Sequence, residues 1–115
     1  MESGPISGGN RPEMAGPLSS RVAVIRDGDS ARVVLGGEFD IPEAEHLLTE
    51  LQPIIVAPPP LVVMELVEVE FMCSRIIGVL ERLRLAVTSA GGQFQLGPRR
   101  PIVERLLAVS GFFDA

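Results

Sequence analysis

The sequence has no lysine, no tryptophan and no tyrosine, and it holds one cysteine and one histidine. Each shortage removes a class of function. A lone Cys73 rules out an intrachain disulfide and a four-cysteine zinc site. A lone His46 removes the usual sites built from two or three histidines, so no metal is expected. Five phenylalanines are the only aromatic side chains, too few for a base-stacking surface. A formal charge of −5 and a pI of about 4.8 disfavour a phosphate-backbone binder. No nucleic-acid partner is expected. That all ten basic residues are arginine points to GC-rich coding more than to chemistry.

Long hydrophobic runs are also missing. The most apolar stretch, Ile54 to Met64, is broken by Pro58, Pro59 and Pro60 and falls short of the roughly 20 residues a membrane span needs. Met1 to Met14 has no basic flank leading into an apolar stretch, so no signal peptide is expected and the protein is placed in the cytoplasm, away from membranes. Neither a Gly-x-Ser-x-Gly elbow nor a glycine-rich phosphate loop is present. An enzyme, and with it a cofactor, is not expected.

What is there suits one folded unit. The chain has 115 residues, 46% hydrophobic and 22% charged, enough to bury a core without staples. Residues 1 to 20 hold four Gly, three Pro and four Ser and are expected to form a flexible leader, with the domain over 21 to 115.

Arg21 to Arg26 alternates apolar and polar residues, the pattern of a half-buried strand. Asp27 to Ser30 supplies a turn, and Ala31 to Gly37 gives a second, antiparallel strand. Asp40 can cap a helix whose first turn holds Pro42 and Glu43, at capping-box spacing. Ala44, Leu47, Leu48, Leu51 and Ile55 give that helix an apolar stripe, with an expected end near Gln52, before Pro53. Leu61 to Leu66 is a short apolar run that favours a central parallel strand. A second helix follows Ser74, with Ile76, Ile77, Leu80, Leu83, Leu85 and Val87 as its apolar face and Gly91-Gly92 as its stop. Gln93 to Leu96 is a fourth strand, Gly97-Pro98 a turn, and Pro101 opens a last helix carrying Ile102, Val103, Leu106, Leu107 and Val109. The order implies a small α/β layer fold. About four strands form a mixed sheet, the first antiparallel and the rest mainly parallel, with three or more helices.

Three stretches in this order carry a resemblance: Gly37-Glu38-Phe39-Asp40, then Val69-Glu70-Phe71-Met72-Cys73-Ser74, then Gly91-Gly92, Gly97-Pro98 and Val109-Ser110-Gly111-Phe112. With these intervals the chain resembles the bacterial anti-sigma factor antagonists of the STAS family, from about Arg21 to the C-terminus. The resemblance implies partner switching in transcription regulation. The bare antagonist binds an anti-sigma factor that is also a serine kinase, freeing a sigma factor. Phosphorylation then releases the complex, and a serine phosphatase resets it. The family motif Asp-Ser-Ser/Thr-Gly falls on Cys73, Ser74, Arg75 and Ile76, so Ser74 is the implied phosphorylation site and the other three positions differ.

Several site expectations follow. Ser74 is expected as the N-cap of the second helix, near solvent, where a phosphate would meet the positive dipole end. Phe71, Met72, Ile76 and Ile77 are expected to form an apolar docking patch. Glu38, Asp40, Cys73 and Arg75 complete the expected partner surface, with Arg75 available to a phosphate or a partner carboxylate. Cys73 is otherwise a small inert residue or an oxidant-sensing thiol. His46 is expected as a surface imidazole between Glu43 and Glu50. Glu65 is expected at the C-terminal edge of the sheet, and Glu68 and Glu70 in a solvated loop. The alternative to switching is a constitutive STAS subunit of a larger regulatory or lipid-transport assembly.

Overall fold

A computed structural model describes residues 20–112. The leader expected over residues 1 to 20 lies outside the described residues except for Ser20. Strand β1 (Arg21–Asp27) turns through Gly28-Asp29 into β2 (Ser30–Phe39), and the two pair antiparallel from Arg21 opposite Gly36 to Asp27 opposite Ser30. A 3-10 turn (Ile41–Glu43) leads into α1 (Ala44–Val56). Next come β3 (Leu61–Met72), α2 (Ser74–Ser89), β4 (Gln93–Arg99) and α3 (Pro101–Val109). The sheet runs β1-β2-β3-β4, with β2 parallel to β3 and β3 parallel to β4. The expected mixed four-stranded α/β fold is the one observed.

The core lies between one face of the sheet and the helices. Ala31, Val33 and Leu35 of β2 and Val62, Met64 and Leu66 of β3 are fully buried, as period-2 alternation requires. They join Leu47, Leu51 and Ile54 of α1, Ile76, Leu80, Leu83 and Val87 of α2, and Val103 and Leu107 of α3 in one cluster. Fully burying such a side chain contributes roughly 1.5–3 kcal/mol. The other face carries Arg32, Val34, Val63, Glu65 and Gln95, all half-buried or exposed, with Arg32 paired to Glu65.

Several boundaries differ from expectation, each for a physical reason. Helix α1 does not stop at Gln52 but takes Pro53 into its last turn and ends at Val56. Burial of Ile54 holds that turn to the core, and the Ala57 N–H still reaches the Pro53 carbonyl at 3.1 Å. Ile54, rather than Ile55, is the fully buried residue there. Strand β3 continues past Leu66 to Met72, because register shifts between Val34 and Gly36 and between Gly37 and Glu38 let the β2–β3 pairing resume. Glu65 is therefore mid-strand rather than at the edge, and Glu68 and Glu70 belong to the strand rather than to a loop. Gly97-Pro98 lies inside β4, whose place at the sheet edge tolerates proline. Leu85, Ile102 and Val109, expected on core-facing stripes, are 49%, 39% and 81% exposed.

The far end of α2 is tightly closed. Gly91 takes φ 85°, and the N–H groups of Gly91 and Gly92 donate to the carbonyls of Thr88 and Val87, a Schellman ending. Gly92 then packs against the chain before β3. A Cβ there would lie 2.8 Å from the Pro60 carbonyl oxygen, which already accepts the Gln93 N–H at 2.8 Å.

Candidate functional site

The parallel register of β2 and β3 brings the two signature segments side by side. Glu38 pairs with Phe71 and Phe39 with Met72, so both strands end together. The Cys73 N–H donates to the Phe39 carbonyl at 3.0 Å and ties the exit of β3 to the exit of β2. Beyond that bond the chain at Asp40 and the chain at Ser74 emerge as neighbours.

On the β2 side, Asp40 caps the 3-10 turn rather than α1 itself, whose own N-cap is Glu43. The Asp40 Oδ1 accepts the Ile41 N–H at 2.8 Å, and Glu43 Oε1 accepts the Asp40 N–H at 2.7 Å. Both halves of the capping box are present, with Pro42 inside the turn. The turn leaves Ile41 62% exposed. The sequence does not single that residue out, because its spacing to Ala44 and Leu48 matches the apolar stripe of α1.

On the β3 side, the cap position shifts by one residue. Cys73 has extended backbone (φ −87°, ψ 172°) and is the N-cap, without a side-chain hydrogen bond to the helix. Ser74 is the first helical residue rather than the cap, and it is exposed. Its hydroxyl has no partner among the described residues. The N–H groups of the first turn of α2 have no intrahelical acceptor and point the same way. Arg75 is exposed beside it, and Cys73 is half-buried against the core.

The expected apolar docking patch does not form as read. Met72 and Ile76 are fully buried, and Ile77 is 5% exposed; all three are core residues that support the surface from beneath. Phe71 is half-buried. The exposed apolar group of this end is Ile41. Ile76, onto which the resemblance places the motif glycine, fills the core.

A groove beside Ser74 is lined by Ile77, Gly78, Glu81, Ser110, Gly111 and Phe112. Glu81 pairs with Arg84 one turn on, and the Arg84 guanidinium lies 5.5 Å from the centre of the Phe112 ring. Phe112 in turn packs on Phe94, with ring centroids 6.2 Å apart. This cluster anchors the end of the described chain next to the start of α2. Among the described residues no group of three His, Cys, Asp or Glu is placed to hold a metal ion, and no helix is long and apolar enough to cross a membrane. His46 is exposed on α1 and does not line this groove.

Residues 21–115 match the family model described as the STAS domain. The chain belongs to the STAS family. Among solved structures, this STAS domain is similar to an anti-sigma factor antagonist from Mycobacterium paratuberculosis. Identity is 24% and the TM-score 0.75, over 86% of this chain and 84% of that one. It is also similar to the anti-sigma factor antagonist SpoIIAA in its unphosphorylated form, at 20% identity and a TM-score of 0.66, covering 81% of each chain. The phosphorylated form of the Bacillus cell fate determinant SpoIIAA matches at 19% identity and a TM-score of 0.60, over 84% of this chain and 86% of that one. At these identities the likeness is one of fold. The search of curated proteins found no match.

Proposed function

We propose that this STAS domain is an anti-sigma factor antagonist that docks on a serine-kinase-type anti-sigma factor and is released when Ser74 is phosphorylated. One observation carries the reading: an exposed serine hydroxyl in the first turn of α2, without a hydrogen-bond partner among the described residues, tied through the Cys73–Phe39 backbone bond to the Asp40 turn. The anti-sigma factor antagonists among the solved structures, one of them phosphorylated, support it.

In this mechanism Ile41 and Phe71 supply the apolar contact, while Glu38, Asp40 and Arg75 form a charged rim. A phosphate on Ser74 adds roughly −1.5 to −2 charges at a helix N-terminus, where free N–H groups and the dipole accept it without unfolding the domain. The same charge joins Asp40 and Glu38 on the rim and loses its hydration when the partner closes over Ile41, a penalty of several kcal/mol unless paired. Phosphorylation thus opposes docking and leaves the fold intact. A serine phosphatase restores the bare form.

A second reading is a constitutive subunit. It is favoured by Cys73, Arg75 and Ile76, which leave Ser74 as the one residue of the four-residue motif that is kept. One experiment separates the two. Wild-type and Ser74→Glu baits are exposed side by side to native cell extract, and the captured proteins and Ser74 itself are read by mass spectrometry. The switch predicts a kinase-like partner held by the wild type and lost with Ser74→Glu, and a phosphate on Ser74. Equal capture by both baits with Ser74 unmodified establishes the constitutive subunit instead.

A further inference from the structure

Gly78 stands in the second turn of α2, exposed, and a Cβ built on it meets no atom within 4 Å. Glycine inside a helix is less favourable than alanine, and nothing in the fold requires it at this position. The residue is a low ridge between two grooves. One holds Ser74, Glu81 and Phe112. The other runs between α1 and α2 and is lined by Ala44, Glu45, Leu48, Arg75, Val79 and Arg82.

Arg75, Gly78 and Arg82 fall on one stripe of α2, at i, i+3 and i+7. Arg75 and Arg82 are exposed and pair with no carboxylate among the described residues, whereas Arg32, Arg84 and Arg99 each have one. The groove has one acid of its own, Glu45 on the α1 wall. Two cations face one anion there, on a chain whose net charge is −5. Half-buried Leu48 and buried Val79 form an apolar floor between them.

We infer that the α1–α2 groove seats an acidic helix of the protein partner, crossing α2 at Gly78 with carboxylates on Arg75 and Arg82. The inference rests on the partner-docking reading above and specifies that partner's chemistry. Seven residues of helix span roughly 10 Å, so carboxylates seven positions apart on the incoming helix match the two guanidinium groups. Planar guanidinium groups bind carboxylates bidentately and desolvate more readily than ammonium groups. The missing side chain at Gly78 lets the incoming backbone sit against α2, where leucines on its underside reach Leu48.

The test uses the full chain, isotopically labelled, and two synthetic amphipathic helical peptides with leucines on one face. One peptide carries glutamates seven positions apart, the other lysines at the same positions. NMR titration and calorimetry at low salt read the outcome. The glutamate peptide is expected to shift the amide signals of Leu48, Gly78 and Val79 and to bind about tenfold tighter than the lysine peptide. Combined Arg75→Glu and Arg82→Glu reverses that preference, and Gly78→Leu weakens the glutamate peptide about tenfold, with the circular dichroism spectrum unchanged. Equal affinity for both peptides, or a preference that survives the double reversal, overturns the inference. Ser74→Ala leaves glutamate-peptide binding unchanged, so the groove can stand where the phosphorylation switch fails. Conversely, a partner captured in a Ser74-dependent way, with no peptide preference, overturns the groove alone.

Discussion

Gly92 and Gly78 sit at opposite ends of α2 and are glycines for opposite reasons. Beyond the helix C-terminus, a side chain on Gly92 would press on the Pro60 carbonyl at 2.8 Å and on Val87 Cγ1 at 3.1 Å. Near the N-terminus, a side chain on Gly78 would meet only solvent. One end of the helix is closed by the fold and the other is left open by it. The open end is also where Ser74, Arg75, Asp40 and Ile41 are exposed. The comparison separates residues that hold the domain together from residues the domain merely presents.

The sharpest way to break that division lies at the open end itself. Ile76 is fully buried although it follows exposed Ser74 and Arg75. Ile76→Ala is expected to destabilise the domain by about 2–5 kcal/mol in urea denaturation, as other buried Ile-to-Ala changes do. A loss under 1 kcal/mol would show that this turn is not anchored in the core. Next in size is the closed end. Gly92→Ala should lower stability by roughly 1–3 kcal/mol, because the backbone of Pro60 must move to admit a methyl group. An unchanged midpoint would mean that the junction before β3 yields freely. The smallest effect has the opposite sign. Gly78→Ala should raise stability by up to about 1 kcal/mol, through helix propensity alone, with a higher thermal midpoint.

The order of strands and helices was legible in the sequence because periodicity changes type cleanly between segments. Alternation marked β1 and β2, 3.6-residue spacing marked the helices, and the Asp40-Pro42-Glu43 cap lies where its spacing puts it. Lengths were harder to read. The bulged pairing of β2 and β3 places exposed Val67 and Glu68 next to each other within β3, which resets the alternation and makes the strand look finished at Leu66. Proline misled twice: Pro53 is absorbed by a last helical turn held by Ile54, and Pro98 by an edge strand.

The site was legible in position but not in facing. Nothing in one sequence says which way side chains point where a strand becomes a helix. Met72, Ile76 and Ile77 therefore looked as available for docking as Phe71, yet all three turn inward. Ile41 turns outward although it lies three residues before Ala44 on what looks like the α1 stripe, because a 3-10 turn precedes the α-helix and rotates it off that face.

The bond from the Cys73 N–H to the Phe39 carbonyl has a consequence for how such a site changes over time. It uses main-chain atoms only, so it is indifferent to which side chain occupies either position, provided the backbone keeps its path. The two signature segments are held together like the jaws of a clamp whose hinge lies in the polypeptide itself. Exposed residues set in those jaws, such as Ile41, Ser74 and Arg75, can be exchanged one at a time while buried Phe39, Met72 and Ile76 keep their places. A lineage can thus alter what this end of the domain recognises while the spacing between the Asp40 turn and Ser74 persists.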